Sequence, residues 1–366
     1  MRGMIVAPQP EAVEAGALAL KRGGNAIDAA IACAFMQGAV DPQMVGIAGF
    51  GVMQIYMPKR NVHLHLDFHA RCPASVRPDM WADLIEGEAR DGFGFLLKGK
   101  VNDVGYQSIA VPGNLRGYEE ALKEFGTMDW ADVIRPTAEA AREGFIVRPH
   151  VYGMWIQKES KYGRVDLIDK LRSTEAGRKI YFHPDGTLKF MGDRIANPHM
   201  ARSLERIARG GADLFYKGEM AEEIAADMGR HGGRVTLEDL RNYKTTRSAP
   251  VWGSYRGHRI AGAPIAMKGL SSLKTMVGDI EEKRALPGAS DPVRPGRGSK
   301  TDIEPLYMKP SPAVITPEGA PSVWVMETTF PSSSATEMCV VPCFSWLRRS
   351  TCAFSPLSIL AASSRA

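Results

Sequence analysis

Residues 26–36 read Ala-Ile-Asp-Ala-Ala-Ile-Ala-Cys-Ala-Phe-Met, apolar at every position except Asp28. A helix of that composition has no polar face to turn toward water, so other elements must enclose it. The segment before it reads as a second helix. Pro10 and Glu11 suit a first turn, and Val13, Ala17, Leu18 and Leu20 recur near the helical period. Lys21 and Arg22 suit its C-terminal end, Gly23-Gly24 break the chain, and Asn25 is placed to cap the buried helix.

What encloses the buried helix must include a sheet. Val52–Met57 and Val62–Phe68 flank Pro58-Lys59-Arg60-Asn61, and the second run alternates apolar and polar. Together they predict a hairpin with one buried face. Residues 115–145 and 200–230 are helical in pattern, with Asn197-Pro198 marking an entry, and residues 251–263 read as another strand pair. Helices and hairpins without regular βαβ alternation indicate α+β layers. The pattern dissolves over 283–312 and resumes as short strands at 311–316 and 322–326. After Phe330 the composition changes. The last 36 residues hold nine serines and no glycine, asparagine or aspartate, which leaves turns without their usual residues.

Composition excludes several classes. A net charge of +5 spread over 366 residues, with no long basic block, leaves no electrostatic footprint for nucleic acid. No run of 18 apolar residues predicts a membrane span, and residues 1–20 lack the basic start and apolar stretch of a signal peptide. The sequence as written therefore implies a cytoplasmic protein. Cys33 and Cys72 stand alone in apolar surroundings and read as buried thiols, while Cys339 and Cys343 have no second ligand pair at zinc spacing. No cofactor or metal is expected. His63, His65 and Asp67 share one face of their strand, and without a further recognisable ligand they are expected to line the solvent face of the hairpin. Gly46–Gly51 precedes a strand instead of following one, so it is expected to be a tight turn that lets backbone approach closely.

A collinear series of motifs takes the reading further. It begins with Ala7-Pro8-Gln9-Pro10-Glu11-Ala12 and Lys21-Arg22-Gly23-Gly24-Asn25-Ala26-Ile27-Asp28. It continues with Val40-Asp41-Pro42, Gly46-Ile47-Ala48-Gly49-Phe50-Gly51, and Ala110-Val111-Pro112-Gly113-Asn114. It ends with Asn197-Pro198, Ala212–Gly218, Leu237-Glu238-Asp239-Leu240 and Tyr255-Arg256-Gly257. Over about residues 4–265 the chain resembles the large-subunit portion of the γ-glutamyltransferase (glutathione hydrolase) family. The resemblance implies an N-terminal-nucleophile hydrolase fold, an αββα sandwich that this chain holds incompletely. It also implies γ-glutamyl transfer from glutathione-like donors to water or amino acids through an acyl-threonine. No cofactor takes part in that chemistry, and many family members are periplasmic or extracellular.

In that family a precursor cuts itself before a Thr-Thr-His-x-Ser-Val-Val-Asp motif, and the freed threonine is the nucleophile. Glu327-Thr328-Thr329 stands where the motif should begin, so the resemblance assigns the catalytic role to Thr328. It divides the chain into a large-subunit-like region, 1–327, irregular and shortened over 283–312, and a remnant of the small subunit with an atypical tail, 328–366. The rest of that small subunit is the implied partner. The family's Asp-Phe-Arg-Glu segment supplies an arginine for the substrate α-carboxylate. Here the chain reads Asp67-Phe68-His69-Ala70-Arg71, with His69 in the arginine's place and Arg71 two residues on. If the strand persists, Arg71 shares the His69 face, and both are assigned to substrate binding.

Codons for Phe330-Pro331-Ser332-Ser333-Ser334-Ala335-Thr336-Glu337-Met338 can be chosen that, read two bases along, spell Ser-Val-Val-Val-Gly-Asp-Arg-Asp, so a shifted reading frame is expected after Thr329. The truncated chain is then expected to be inactive. Two alternatives stay open: an acylase of the cephalosporin-acylase kind, because the carboxylate clamp is altered, and a non-catalytic remnant or binding module.

Overall fold

The all-apolar segment is the centre of the structure. In the computed structural model, which describes residues 2–91, 94–255, 258–262 and 360–364, helix α2 (Ala26–Val40) has all fifteen residues buried. Its largest side chains, Ile27, Ile31 and Phe35, are at most 1% exposed, and each such burial contributes about 1.5–3 kcal/mol. Asp28, the exception in the pattern, completes a capping box with Asn25 and is itself fully buried. Its carboxylate accepts from the Asn25, Thr127 and Met128 backbone N–H groups and from the Thr127 hydroxyl, at 2.6–3.0 Å. A charge can occupy a core only when satisfied in this way.

Helix α1 (Pro10–Lys21) lies against α2 through Ala12, Ala15, Gly16 and Ala19. A Cβ at Gly16 would stand 2.9 Å from the Ala29 carbonyl oxygen, so only glycine permits this approach. Strand β1 (Arg2–Val6) precedes α1 and pairs antiparallel with a late strand, Leu360–Ser364, Arg2 opposite Ser364 and Val6 opposite Leu360.

The predicted hairpin forms as β2 (Gly51–Met57) and β3 (Val62–Phe68), in antiparallel register with Met53 opposite Leu66 and Gln54 opposite His65. Asn61 makes the turn in the left-handed region, at φ 52°. Two small ribbons follow in the chain: β4 (Ile85–Glu88) pairs with β5 (Phe95–Leu97), and β6 (Phe145–Ile146) with β7 (Arg194–Ile195). A short strand β8 (Thr246–Ser248) then pairs with the far edge of β3, Asp67 opposite Thr246. Met53, Ile55, Leu66 and Phe68 join the core from one face of this sheet, whereas Gln54, His63, His65 and Asp67 occupy the other.

The predicted helical regions resolve into α3 (Asn114–Phe125), α4 (Trp130–Glu143), α5 (Pro149–Trp155), α6 (Leu167–Arg172), α7 (Glu175–Tyr181), α8 (Pro198–Tyr216), α9 (Glu219–Arg230) and α10 (Leu237–Asn242). Asn197 caps α8 by accepting from the Met200 N–H at 3.0 Å. The chain divides into two compact units, residues 1–251 with 336–366, and residues 252–335. The expected strand pair forms as β9 (Val251–Tyr255) with β10 (His258–Gly262), all of it but Val251 in the second. The strand at 360–364, numbered β11, belongs to the first.

Two expectations are corrected. The polar face of β3 is not a solvent face at His65, which is only 2% exposed, while His63 and Asp67 on either side are half-buried; that burial lowers the His65 imidazole pKa, with Asp67 pulling the other way. Cys72 is exposed, not buried. Arg71 makes an antiparallel bridge with Val111, which keeps the chain extended past the sheet and carries Cys72 outward before Pro73 turns in. Cys33 is buried as expected, and that burial pushes its thiol up to about 12. The strand expectations at 311–316 and 322–326, the irregular stretch 283–312, and the boundary at 327/328 lie outside the described residues.

Candidate functional site

The end of β3 is fixed from below. Phe68 packs edge-on against Tyr118 at 5.7 Å, over a helix position that only glycine can hold, since a Cβ at Gly117 would lie 2.3 Å from the Phe68 ring. Gly113 is as tightly confined, its added Cβ falling 2.0 Å from the Phe68 carbonyl oxygen and 2.1 Å from the Tyr243 hydroxyl. The glycine loop packs on the same corner. Gly49 O accepts from the Gly113 and Asn114 N–H groups at 2.8 and 3.0 Å, and Asn114 Nδ2 donates to Gly46 O at 2.7 Å. The loop is therefore the close-approach turn expected, bound to the start of α3.

Beyond Phe68 the chain carries His69 and Arg71. Asp67 Oδ1 accepts from the His69 backbone N–H at 2.7 Å and faces His69 Nδ1 at 2.9 Å. The Phe50 ring lies 5.4 Å from the imidazole, so the glycine loop supplies one wall. Tyr243, just past α10, donates its hydroxyl to the His69 carbonyl at 2.8 Å. Arg71 keeps both backbone hydrogen bonds with Val111 and extends its guanidinium over β8, where Nη2 donates to Thr246 Oγ1 at 3.4 Å. Thr246 is the register partner of Asp67, so Asp67, His69, Arg71 and Thr246 gather at one corner of the sheet.

The electrostatics follow from this grouping. Partial burial alone would raise the Asp67 carboxyl; the hydrogen bonds from His69 and the charges of His69 and Arg71 outweigh it and hold the group down at about 2. Burial pushes the Tyr243 phenol above its ordinary range, with Arg71 opposing, so it remains a neutral donor. An ionised carboxylate, an imidazole tied to it and an exposed guanidinium can together bind an anionic ligand with polar substituents.

Matching the chain to a family model gives gamma-glutamyltranspeptidase over residues 12–282. The chain belongs to the gamma-glutamyltranspeptidase family. The glutathione hydrolase proenzyme of Bacillus subtilis (strain 168) is 36% identical over 262 residues, covering 72% of this chain and 41% of the relative. The acylase ACY 1 proenzyme of Pseudomonas sp. (strain SE83) is 34% identical over 265 residues, covering 72% of this chain and 45% of that one. Among solved structures, the gamma-glutamyltranspeptidase of Helicobacter pylori superposes with a TM-score of 0.65 at 28% identity, covering 78% of this chain and 77% of that chain.

This gamma-glutamyltranspeptidase-family chain thus has the α+β fold of N-terminal-nucleophile hydrolases, and it spans less than half the length of the curated relatives it matches. Of the residues singled out in the sequence, His69 and Arg71 are brought together, and Thr328 lies outside the described residues. Thr246, Tyr243, Phe50 and Gly113 were not singled out for the site. β8 is only three residues long, all exposed, and offers no periodicity to read. Tyr243 follows a helix of six residues, where nothing local marks a tyrosine as reaching a strand 174 positions away. No described helix is long and apolar enough to cross a membrane.

Proposed function

We propose that the chain is the large-subunit part of a γ-glutamyl transferase and hydrolase, and that Arg71 holds the substrate α-carboxylate with His69 beside it. The observation that carries this reading is the placement of Arg71. Its side-chain hydrogen bond among the described residues is the long one to Thr246, which leaves most of its five donors for a ligand. A guanidinium matches a carboxylate bidentately, and the strand shift from His69 to Arg71 keeps a cation at the corner where the family carries one.

Thr328 is proposed as the nucleophile, released by cleavage after Glu327. Its hydroxyl would attack the γ-glutamyl carbonyl while its own freed α-amine, with an ordinary pKa of about 8, takes the proton. The α-ammonium then returns that proton to the leaving nitrogen as the C–N bond breaks, and water or an amino acid, deprotonated by the same amine, takes the acyl group from the threonine oxygen, which regains its proton. The small subunit is the proposed partner that completes the oxyanion donors. The acylase alternative is supported by the 34% identity to the ACY 1 proenzyme, close to that of the glutathione hydrolase relative, and by His69 in the arginine's place.

The test is binding of a γ-glutamyl compound to the full chain and two variants. Arg71→Ala should weaken binding far more than His69→Ala, because it removes the guanidinium that would pair with the carboxylate. Equal and small effects would remove Arg71 from the role.

A further inference from the structure

We propose that the edge of β1 is a strand-acceptor site for an extended antiparallel segment of small residues, and that β11, from this chain's own tail, is the segment that fills it. Both strands lie outside residues 12–282, so the family match does not account for their pairing. They join in unbroken antiparallel register, with Met4 opposite Ala362 at the centre. Among the described residues β11 is the sole partner of β1. β1 is itself anchored to the first unit, because Ile5 packs on the core and a Cβ at Gly16 would stand 2.8 Å from Ile5 Cδ1. Its alternate residues Met4 and Val6 are 41% and 49% exposed.

A strand edge offers a row of N–H and C=O groups to any other extended chain. Those backbone groups supply the affinity of strand addition, and the space beside the edge chooses the side chains. Here that space is limited, since β11 also lies against α2, the helix buried at every position. Leu360-Ala361-Ala362-Ser363-Ser364 suits it, with small residues at every position after the leucine and no charge or proline. Attachment to the same chain gives this segment a high effective concentration, so a free peptide of the same sequence competes poorly. The serine-rich tail is thereby a working part of the fold: it closes an edge that would otherwise recruit another strand.

The test uses the full chain throughout. In Met4→Cys with Ala362→Cys, the two positions are direct register partners. Paired Cα atoms about 4.5–5.5 Å apart lie within disulfide reach, so mild copper–phenanthroline oxidation should bridge them. Arg2→Cys with Leu360→Cys, four positions out of register, should not bridge. Non-reducing peptide mapping locates the bond, and the mass of the bridged species shows whether it lies within one chain. A second variant combines Ala361→Pro with Ala362→Pro. Successive strand residues point their backbone groups to opposite edges, so one of the two prolines removes a ladder hydrogen bond whichever residue faces β1. A labelled peptide of residues 356–366 should bind this variant at least about tenfold tighter than the parent, whose edge is already filled. Failure of the bridge between positions 4 and 362, or a bridge formed only between two chains, would overturn the cap. Peptide bound equally by parent and variant, or by neither, would overturn the acceptor edge.

Discussion

The hydroxyl of Tyr243 donates to the carbonyl of His69 at 2.8 Å, joining residues 174 positions apart. The bond fixes the backbone at the point where β3 ends and the candidate site begins. Tyr243→Phe should therefore leave His69 O unpaired and cost about 1–3 kcal/mol. Thermal melts measure the loss, and it should be accompanied by weaker ligand binding at Arg71.

Gly113 occupies the space between that hydroxyl and Phe68. Gly113→Ala places a methyl 2.0 Å from the Phe68 carbonyl oxygen, which is backbone, and 2.1 Å from the Tyr243 hydroxyl, the tip of a ring that is itself buried. A loss of about 3 kcal/mol or more in denaturant unfolding is expected. The double variant with Tyr243→Phe should recover part of it, because one of the two clashes is removed.

Asp28 offers a test of the core. Asp28→Ala would strip the Asn25, Thr127 and Met128 N–H groups of their acceptor at a fully buried position. About 3–5 kcal/mol of stability should go with it, read as a lower denaturation midpoint.

Two carboxylates should respond oppositely to pH. Asp67 has its folded pKa lowered from 3.8 to about 2, so its contribution is complete above pH 3.8 and is lost as pH falls toward 2. Asp67→Asn should cost roughly 2 kcal/mol at pH 7 and nothing at the acid end of that window. Asp41 has its folded pKa raised, chiefly by burial, with His150, Gln9 and Gln37 acting against the rise. Its contribution is present below pH 3.8 and lost as pH rises through the folded value. Asp41→Asn should therefore melt higher than the parent at pH 7, and the gap should close below pH 3.8. A pH series of melts checks both signs at once.

The parts of the fold readable in the sequence are those with a local physical signature. Ala26–Val40 is apolar on all sides and is buried on all sides; Val62–Phe68 alternates and forms a strand; Asn25 and Asn197 each cap a helix. What could not be read depends on distant partners. Nothing near His65 announces that its side chain is enclosed, and nothing near Cys72 shows that a bridge from Arg71 to Val111 will turn it outward. Period two suggested that Arg71 would reach the His69 corner, but the strand as such stops at Phe68, and an isolated bridge extends it instead. Thr246 joins the site through cross-strand register, which no three-residue segment encodes.

The proposed reading is a division of labour: Arg71 and His69 are proposed as the carboxylate-recognition corner, and self-cleavage before Thr328 is proposed to depend on the small-subunit partner. This chain matches only 41% of the B. subtilis glutathione hydrolase proenzyme. Cleavage needs the Thr328 hydroxyl held in line with the Glu327 carbonyl, and a misplacement of about 1 Å can cost a hundredfold in rate. Intact-mass spectrometry of the purified 366-residue chain after long incubation is the most direct test. A single species at the mass of the uncut chain is expected; a fragment ending at Glu327, absent in Thr328→Ala, would contradict the claim.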